Sequence, residues 1–242
     1  MRAATLLATL GTVALLTAMR SGPQEPLVDG SRMRPGVDTF VIAGSSGDSL
    51  GFATQATTRA GAGAQARWVQ VYRWHDRNGS VSQDSLEMDA ATLRPLVEVR
   101  GTPAGNVSVT YDGARVRSVA TRPSGEVLRA DTTFSGPVYS SAAMDPIARS
   151  LPLRQGLATT VDFYYPFPAP FGVRRVRLTV TGSEVVNSGR RAGVDCWVVA
   201  LELPGGKTRF WLAKDTGEIA QFASTEGASV YWARRPGAPA AR

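Results

Sequence analysis

The stretch from residue 194 to residue 217, VDCWVVALELPGGKTRFWLAKDTG, decides the fold class of this chain. Residues 194–203 and 207–213 are short runs rich in β-branched and aromatic residues, which is typical of buried strands. Between them, residues 204–206 (PGG) are the residue types that tight turns prefer. Strands joined by so short a turn must be antiparallel, so the stretch predicts a β-hairpin.

The same pattern continues along most of the chain. Asn78-Gly79 and Asp112-Gly113 are dipeptides that tolerate the positive φ of hairpin loops. Many strands in one domain must close into a barrel or curl strongly to protect their edges. The sequence therefore predicts an all-β fold with one short helix, in which an antiparallel curved sheet forms a half-barrel or a barrel-like structure. The candidate strands are residues 40–43, 49–59, 67–75, 81–89, 96–100, 106–111, 115–121, 126–134, 159–165, 173–185, 194–203, 207–213, 218–224 and 229–234.

Only one stretch predicts a helix. Asp145 followed by Pro146 is a typical helix start, with an N-cap acceptor before a proline at the first helical position. Residues 147–151 are expected to continue the helix from Pro146, and Pro152 is expected to end it.

The amino-terminal residues are typical of an exported protein. Residues 3–19 form an uncharged apolar run between Arg2 and Arg20. Residues 1–22 are therefore predicted to be a signal peptide or, because no clean cleavage site follows, an uncleaved N-terminal anchor. The expected location is the periplasm or the cell envelope, with membrane contact only through this segment.

Composition indicates one globular domain behind this leader. The chain has 242 residues, of which 43% are hydrophobic and 19% charged, and these values exclude disorder and collagen-like repeats. No internal repeat or composition shift marks a second domain. Residues 23–36 are expected to be a linker, residues 37–234 a single β-rich domain and residues 235–242 a disordered tail.

The basic charge of the chain does not indicate a nucleic-acid partner. The formal net charge is +7, but the 27 basic residues are spread along the chain with 20 acidic residues between them. A nucleic-acid-binding protein gathers its charge into a patch or stripe. The densest cluster, Arg174, Arg175 and Arg177, lies on a predicted strand and is expected to belong to a solvated sheet face.

Residue types that carry catalysis or bind metals are sparse. His75 is the single histidine and Cys196 the single cysteine, so no multi-histidine or cysteine zinc site can be assembled. No G-x-S-x-G elbow accompanies His75, which is predicted to be an exposed turn residue, and the apolar run around Cys196 predicts a buried, inert thiol. Asp84, Glu87 and Asp89 are expected on a solvated strand and its turn. We expect no catalytic residue, no metal, no cofactor and no enzymatic activity.

Aromatic residues mark the candidate binding surface. Several fall at period-two spacing on two predicted strands and would share one sheet face. Residues 165–172 (YPFPAPFG) place further rings in a segment whose alternate prolines forbid ladder pairing. Such rings either pack the core or line a cavity that meets an apolar ligand, and both alternatives stay open. The candidate ligand-binding residues are Trp68, Tyr72, Trp74, Phe163, Tyr165, Phe167, Phe171 and Trp211.

Five segments also carry a family resemblance. They are residues 89–96 (DAATLRPL), 111–113 (YDG), 151–156 (LPLRQG), 196–199 (CWVV) and 210–217 (FWLAKDTG). Their order and spacing resemble a bacterial family of exported proteins known as domain of unknown function 3108. The hairpin with the Asp-Thr-Gly turn looks like one in the periplasmic lipoprotein carriers, whose antiparallel sheet is an unclosed half-barrel over a helix. The resemblance implies an apolar concave face and implies no catalytic residues.

Together these features predict an exported cell-envelope protein that binds an apolar ligand, such as a lipid or an acyl chain, in a concave sheet. The alternative is a structural or adaptor protein that has a packed interior and contacts another envelope protein. A connected apolar cavity of a few hundred Å³ would distinguish the two.

Overall fold

The computed structural model describes residues 28–166, 171–189, 191–203, 205–226 and 229–234, with side chains up to residue 225. The strands are β1 (Gly36–Ala43), β2 (Ser49–Ala60), β3 (Arg67–Asp76), β4 (Val81–Asp89), β5 (Pro95–Thr102), β6 (Gly105–Asp112), β7 (Arg115–Thr121), β8 (Val127–Thr133), β9 (Tyr139–Ser140), β10 (Ala158–Tyr165), β11 (Gly172–Ser188), β12 (Arg191–Leu203), β13 (Gly206–Ala213), β14 (Ile219–Glu226) and β15 (Ser229–Arg234). The helix α1 spans Met144–Ser150. In the described residues, no helix is long and apolar enough to cross a membrane.

All strands lie in one 15-stranded sheet, in the order β8-β7-β6-β5-β4-β3-β2-β1-β15-β14-β13-β12-β11-β10-β9. Neighbouring strands are antiparallel, as the tight turns predict, except that β9 pairs with β10 in parallel. Because β1 pairs with β15, the first and last strands meet in the middle of the sheet. The outermost strands are therefore β8 and β9. The predicted fold class, an all-β antiparallel curved sheet with one short helix, is confirmed.

Side chains bring the two outer edges of the sheet together. The ring of Tyr164 on β10 meets the ring of Tyr111 on β6 edge-on, with centroids 6.3 Å apart. The hydroxyl groups of Tyr164 and Ser118 on β7 share a hydrogen bond of 2.8 Å. Phe134, just after β8, lies 6.0 Å from the same tyrosine ring. The sheet thus curls into a barrel whose seam is closed, in the described part, by side chains.

One end of this barrel is plugged by α1 and by residues 28–35. Met33 is 1% exposed, and the Arg32 guanidinium donates a hydrogen bond of 3.0 Å to the carbonyl of Leu151 after the helix. These contacts correct the linker expected over residues 23–36, because its described part packs against the domain. Burial of its apolar side chains stabilises this segment in an ordered position, which a flexible linker would not have.

The helix α1 lies inside the barrel and begins earlier than predicted. Ala143, not Asp145, occupies the N-cap position. The hydroxyl of Ser140 accepts a hydrogen bond from the backbone N–H of Ala142, which starts a 3-10 turn ahead of the helix. Asp145 is therefore free of the capping role and turns its carboxylate toward the barrel wall.

The buried apolar side chains form three clusters. The main cluster fills the barrel around α1, a second closes the seam, and a third lies on the outer face of β12–β14. The largest fully buried members of the main cluster are Phe40, Phe163, Met33, Leu86, Met88, Leu93, Ile147, Leu151, Leu178, Leu201 and Leu212.

Candidate ligand-binding cavity

A cavity of about 860 Å³ occupies the part of the barrel that α1 leaves unfilled. Small-molecule sites are commonly about 300–1,000 Å³. A surface cleft of about 870 Å³ also lies beside the seam, but it has no buried charged group among the residues that line it. The interior cavity combines depth with convergent polar groups and is the better candidate site.

A row of polar side chains forms one wall of the cavity. The strand register places Gln55 of β2 opposite Tyr72 of β3, and Tyr72 opposite Asp84 of β4. Asp84 in turn lies opposite Arg100 of β5. Directly opposed residues point to the same face of a sheet. These four side chains therefore form a continuous polar wall, and all four line the cavity.

The second wall, from β12 to β14, is mostly apolar. Phe210 and Phe222 contribute rings whose centroids are 6.2 Å apart. Leu203 and Ile219 extend this surface along the same side of the cavity. The cavity thus offers a polar wall and an apolar wall to the same ligand.

Asp84 faces the cavity, whereas the sequence predicted a solvated strand at this position. Its side chain lies on the same face of β4 as the buried Leu86 and Met88, because side chains alternate along a strand. Burial raises the pKa of Asp84, an effect that nearby Arg100 opposes and Glu98 reinforces. Within the described chain, no group donates a hydrogen bond to this carboxylate.

Asp145 places a second carboxylate in the cavity, at the helix. It accepts hydrogen bonds from the side-chain amides of Gln55 at 2.6 Å and Gln70 at 3.1 Å. Burial raises the pKa of Asp145 to about 6, although Arg149 and the two amides favour the ionised form. This carboxyl group therefore changes charge close to neutral pH.

The Arg100 guanidinium of the polar wall is held by an ion pair and a hydrogen bond. The Arg100 guanidinium donates to Glu98 and to the Ser141 hydroxyl, the latter at 2.7 Å. Glu98 is 0% exposed and also accepts hydrogen bonds from the hydroxyls of Tyr111 at 2.9 Å and Ser140 at 2.6 Å. Burial disfavours the charge of Arg100, but the carboxylates beside it outweigh burial and raise its pKa.

The mouth of the cavity lies at the end of the barrel opposite the plug. Strands alternate in direction from β1 outward, so β10 and β12 end away from residues 28–35. At this end the Arg174 guanidinium lies 4.6 Å from the centroid of the Tyr165 ring. Both side chains, with Gly205 and Gly206 of the adjacent hairpin, line the cavity.

The aromatic residues that the sequence suggested for ligand binding occupy different environments. Tyr72 and Tyr165 line the cavity. The others are placed as follows: Trp68 and Phe163 are buried in the main cluster, Trp74 is half-buried against it, Phe171 packs at the seam, Trp211 is buried in the outer cluster, and Phe167 lies outside the described residues.

His75, the residue considered for catalysis, lies on a strand and not in a turn. His75 lies within β3, half-buried, and its ring stacks on Phe52 with centroids 4.4 Å apart, so it is not the exposed turn histidine expected. Among the described residues, no three His, Cys, Asp or Glu side chains are grouped to hold a metal ion.

Cys196 is 0% exposed, as its apolar strand predicts. Burial, followed by the charges of Asp195 and Asp215, raises the pKa of the Cys196 thiol to about 11. Because the thiolate is the reactive form, alkylation of the native protein by iodoacetamide at pH 8 is expected to be at least about 100-fold slower than in denaturant. Mass spectrometry measures both rates, and fast native labelling would contradict the buried thiol.

Comparison with known proteins gives a family and two structural neighbours. The model of a family described as "Protein of unknown function (DUF3108)" matches residues 39–226. A search of curated proteins found no match. A beta-barrel-like protein of domain of unknown function DUF1849 from Brucella abortus is similar, with a TM-score of 0.47 and 12% identity over 85% of this chain and 96% of that chain. A Bacteroides fragilis protein with a YmcC-like fold has a TM-score of 0.36 and 8% identity over 84% and 95%.

Proposed function

This chain belongs to the DUF3108 family of proteins of unknown function, and we propose that it is an exported cell-envelope protein. We propose further that it binds a lipid-like molecule inside its barrel and does not change that molecule chemically. The observation that carries the proposal is the cavity of about 860 Å³ with a polar and an apolar wall.

The apolar wall supports a ligand with a long or broad apolar part. Protein interiors are packed nearly as densely as organic crystals. A space of this size beside Phe210, Ile219 and Phe222 is therefore more than a packing defect. The unfilled interior argues against the alternative of a structural or adaptor protein with a packed core.

Export is supported by the leader sequence. The apolar run of residues 3–19, flanked by Arg2 and Arg20, is typical of a secretory signal or an N-terminal anchor. A protein on that route meets lipids and other amphiphiles of the envelope, which is consistent with the ligand proposed.

A bulky side chain in the cavity tests this function. Ser224 lines the cavity on β14, and Ser224→Trp is expected to weaken binding of the apolar fluorophore N-phenyl-1-naphthylamine by about tenfold or more, since the indole takes the ligand's space. Ser108 is exposed on the outer face of β6, so Ser108→Trp in the full chain is the matched control and should bind like the parent.

Fluorescence titration of the full-length parent and both variants measures this difference. Circular dichroism confirms that each variant is folded. A folded parent that fails to bind the fluorophore, or equal binding by both tryptophan variants, would contradict a ligand site in the barrel.

A further inference from the structure

We infer that the cavity selects an amphiphile whose polar group is a cation, such as a protonated amine, and that Asp84 is the counter-ion of that group. The inference rests on the proposed function and names the chemical class of its ligand.

The cavity holds a carboxylate, Asp84, whose neighbouring cation Arg100 forms its ion pair with Glu98 instead. Asp84 lies in the middle of the polar wall, between Tyr72 and Arg100. No described residue donates a hydrogen bond to it. A buried ionised group without hydrogen bonds is costly for the fold, and a ligand that donates to Asp84 removes that cost.

The two cations that line the cavity are already engaged or lie in water. Arg100 forms an ion pair with the fully buried Glu98 and a hydrogen bond with Ser141. Arg174 is exposed at the mouth, where its charge is screened by solvent. Neither cation is therefore left to receive an anionic ligand at the depth of Asp84.

A second carboxylate lies at this depth. Asp145 accepts hydrogen bonds from the neutral amides of Gln55 and Gln70. Burial raises its pKa to about 6, so this carboxyl group is ionised at pH 8. Burial and then the charges of Asp84 and Asp145 raise the pKa of the Tyr72 hydroxyl, so both carboxylates act at one place. Asp84 and Asp145 thus place two carboxylates on the same side of the cavity.

The apolar wall completes the recognition of such a ligand. Phe210 and Phe222 line the same cavity as Asp84. A cation with an aliphatic or aromatic body can place its charge at the polar wall while its apolar part covers these rings. A charge-assisted hydrogen bond in a site that excludes water is stronger than one between neutral groups.

Three probes that share a twelve-carbon alkyl chain and differ in their polar groups test the inference. Dodecylamine is cationic, dodecanol is neutral and dodecanoate is anionic at pH 8. The displacement of N-phenyl-1-naphthylamine from the full-length protein by each probe is measured at 0.15 M salt, below the micelle concentration of the two charged probes and the solubility limit of dodecanol. Dodecylamine is expected to bind about 10- to 100-fold more tightly than dodecanol, although the net charge of the protein favours dodecanoate at nonspecific surface sites.

Asp84→Asn separates the counter-ion from the rest of the cavity. The variant is expected to lose the preference for dodecylamine and to bind dodecanol as the parent does. Asp131→Asn removes the same charge from an exposed site on β8 and is expected to keep the preference. The parent and both variants carry the same amino-terminal segment, so any binding by that segment is the same in all three proteins.

The outcomes separate this inference from the proposed function. If all three probes displace the fluorophore with equal affinity, or if dodecanoate is preferred, the preference for a cationic ligand is overturned. The proposal that the cavity binds a ligand then still stands. A preference for dodecylamine that survives Asp84→Asn also overturns the role of Asp84. Failure of the parent to bind the fluorophore at all overturns the proposed function itself.

Discussion

Replacing Glu98 by alanine is expected to destabilise the protein by about 3–5 kcal/mol, the range for breaking a buried ion pair by removing one partner. Glu98 is 0% exposed and is the acceptor for Arg100, Tyr111 and Ser140. Its removal leaves a buried cation and two hydroxyl groups without their acceptor. The free energy of unfolding, from urea denaturation at pH 7, measures the effect.

Two variants show whether the loss comes from the buried charge. Arg115→Ala removes an ion pair with Asp131 whose side chains are 47% and 49% exposed, and it is expected to change stability only slightly because exposed pairs contribute little. Adding Arg100→Met to Glu98→Ala is expected to restore part of the lost stability, since the cation that lost its buried partner is then removed as well. A Glu98→Ala variant as stable as Arg115→Ala would contradict the buried network.

Asp145→Asn is expected to stabilise the protein above pH 6. Burial raises the pKa of Asp145 from 3.8 to about 6, so the folded state holds this proton to higher pH than the unfolded state. The contribution of Asp145 to stability is therefore greatest below pH 3.8, falls as pH rises to about 6, and stays low above that. A shift of this size corresponds to about 3 kcal/mol at most.

The asparagine keeps the size of the side chain but carries no charge to bury. Relative to the parent, its gain in the free energy of unfolding is expected to be larger at pH 8 than at pH 4.5, as measured by urea denaturation. Asp131→Asn is the control and is expected to lower the free energy of unfolding instead. The hydrogen bond from Arg115 lowers the pKa of Asp131, so the charge of Asp131 favours the folded state. An Asp145→Asn effect that is the same at both pH values would show that the carboxylate is not buried as described.

The strands and turns of this protein were predictable because they depend on local sequence. The patterns over residues 81–89 and 115–121 predict β4 and β7 with the same boundaries. Turn dipeptides such as Asn78-Gly79 predict antiparallel hairpins because only certain residues tolerate positive φ. The strand β9 was missed because its two residues, Tyr139 and Ser140, are too few to show a period.

The faces of the strands were harder to predict than the strands. In β5 the valines Val97 and Val99 suggest the core, yet they are 38% and 47% exposed. Glu98 and Arg100 face the interior instead. Alternation predicts which residues share a face, but only the closed barrel decides which face is inside.

The polar wall could not be predicted for the same reason. Asp84, Arg100 and Asp145 are far apart in the chain and meet only through the register of β3–β5 and the position of α1. Tyr72, which was selected by aromatic spacing, lines the cavity, but large rings also fill cores, as Trp68 and Phe163 do here. Polar residues at inward positions of adjacent strands are the signal that could have located the cavity.

A crystal structure of the full chain grown with dodecylamine decides whether the barrel interior is a binding site. The alkyl chain is expected to lie along Phe210 and Phe222, with the amine within hydrogen-bonding distance of the Asp84 carboxylate. An interior filled by the protein's own side chains, or an amine bound only on the outer surface, would contradict the ligand-binding cavity.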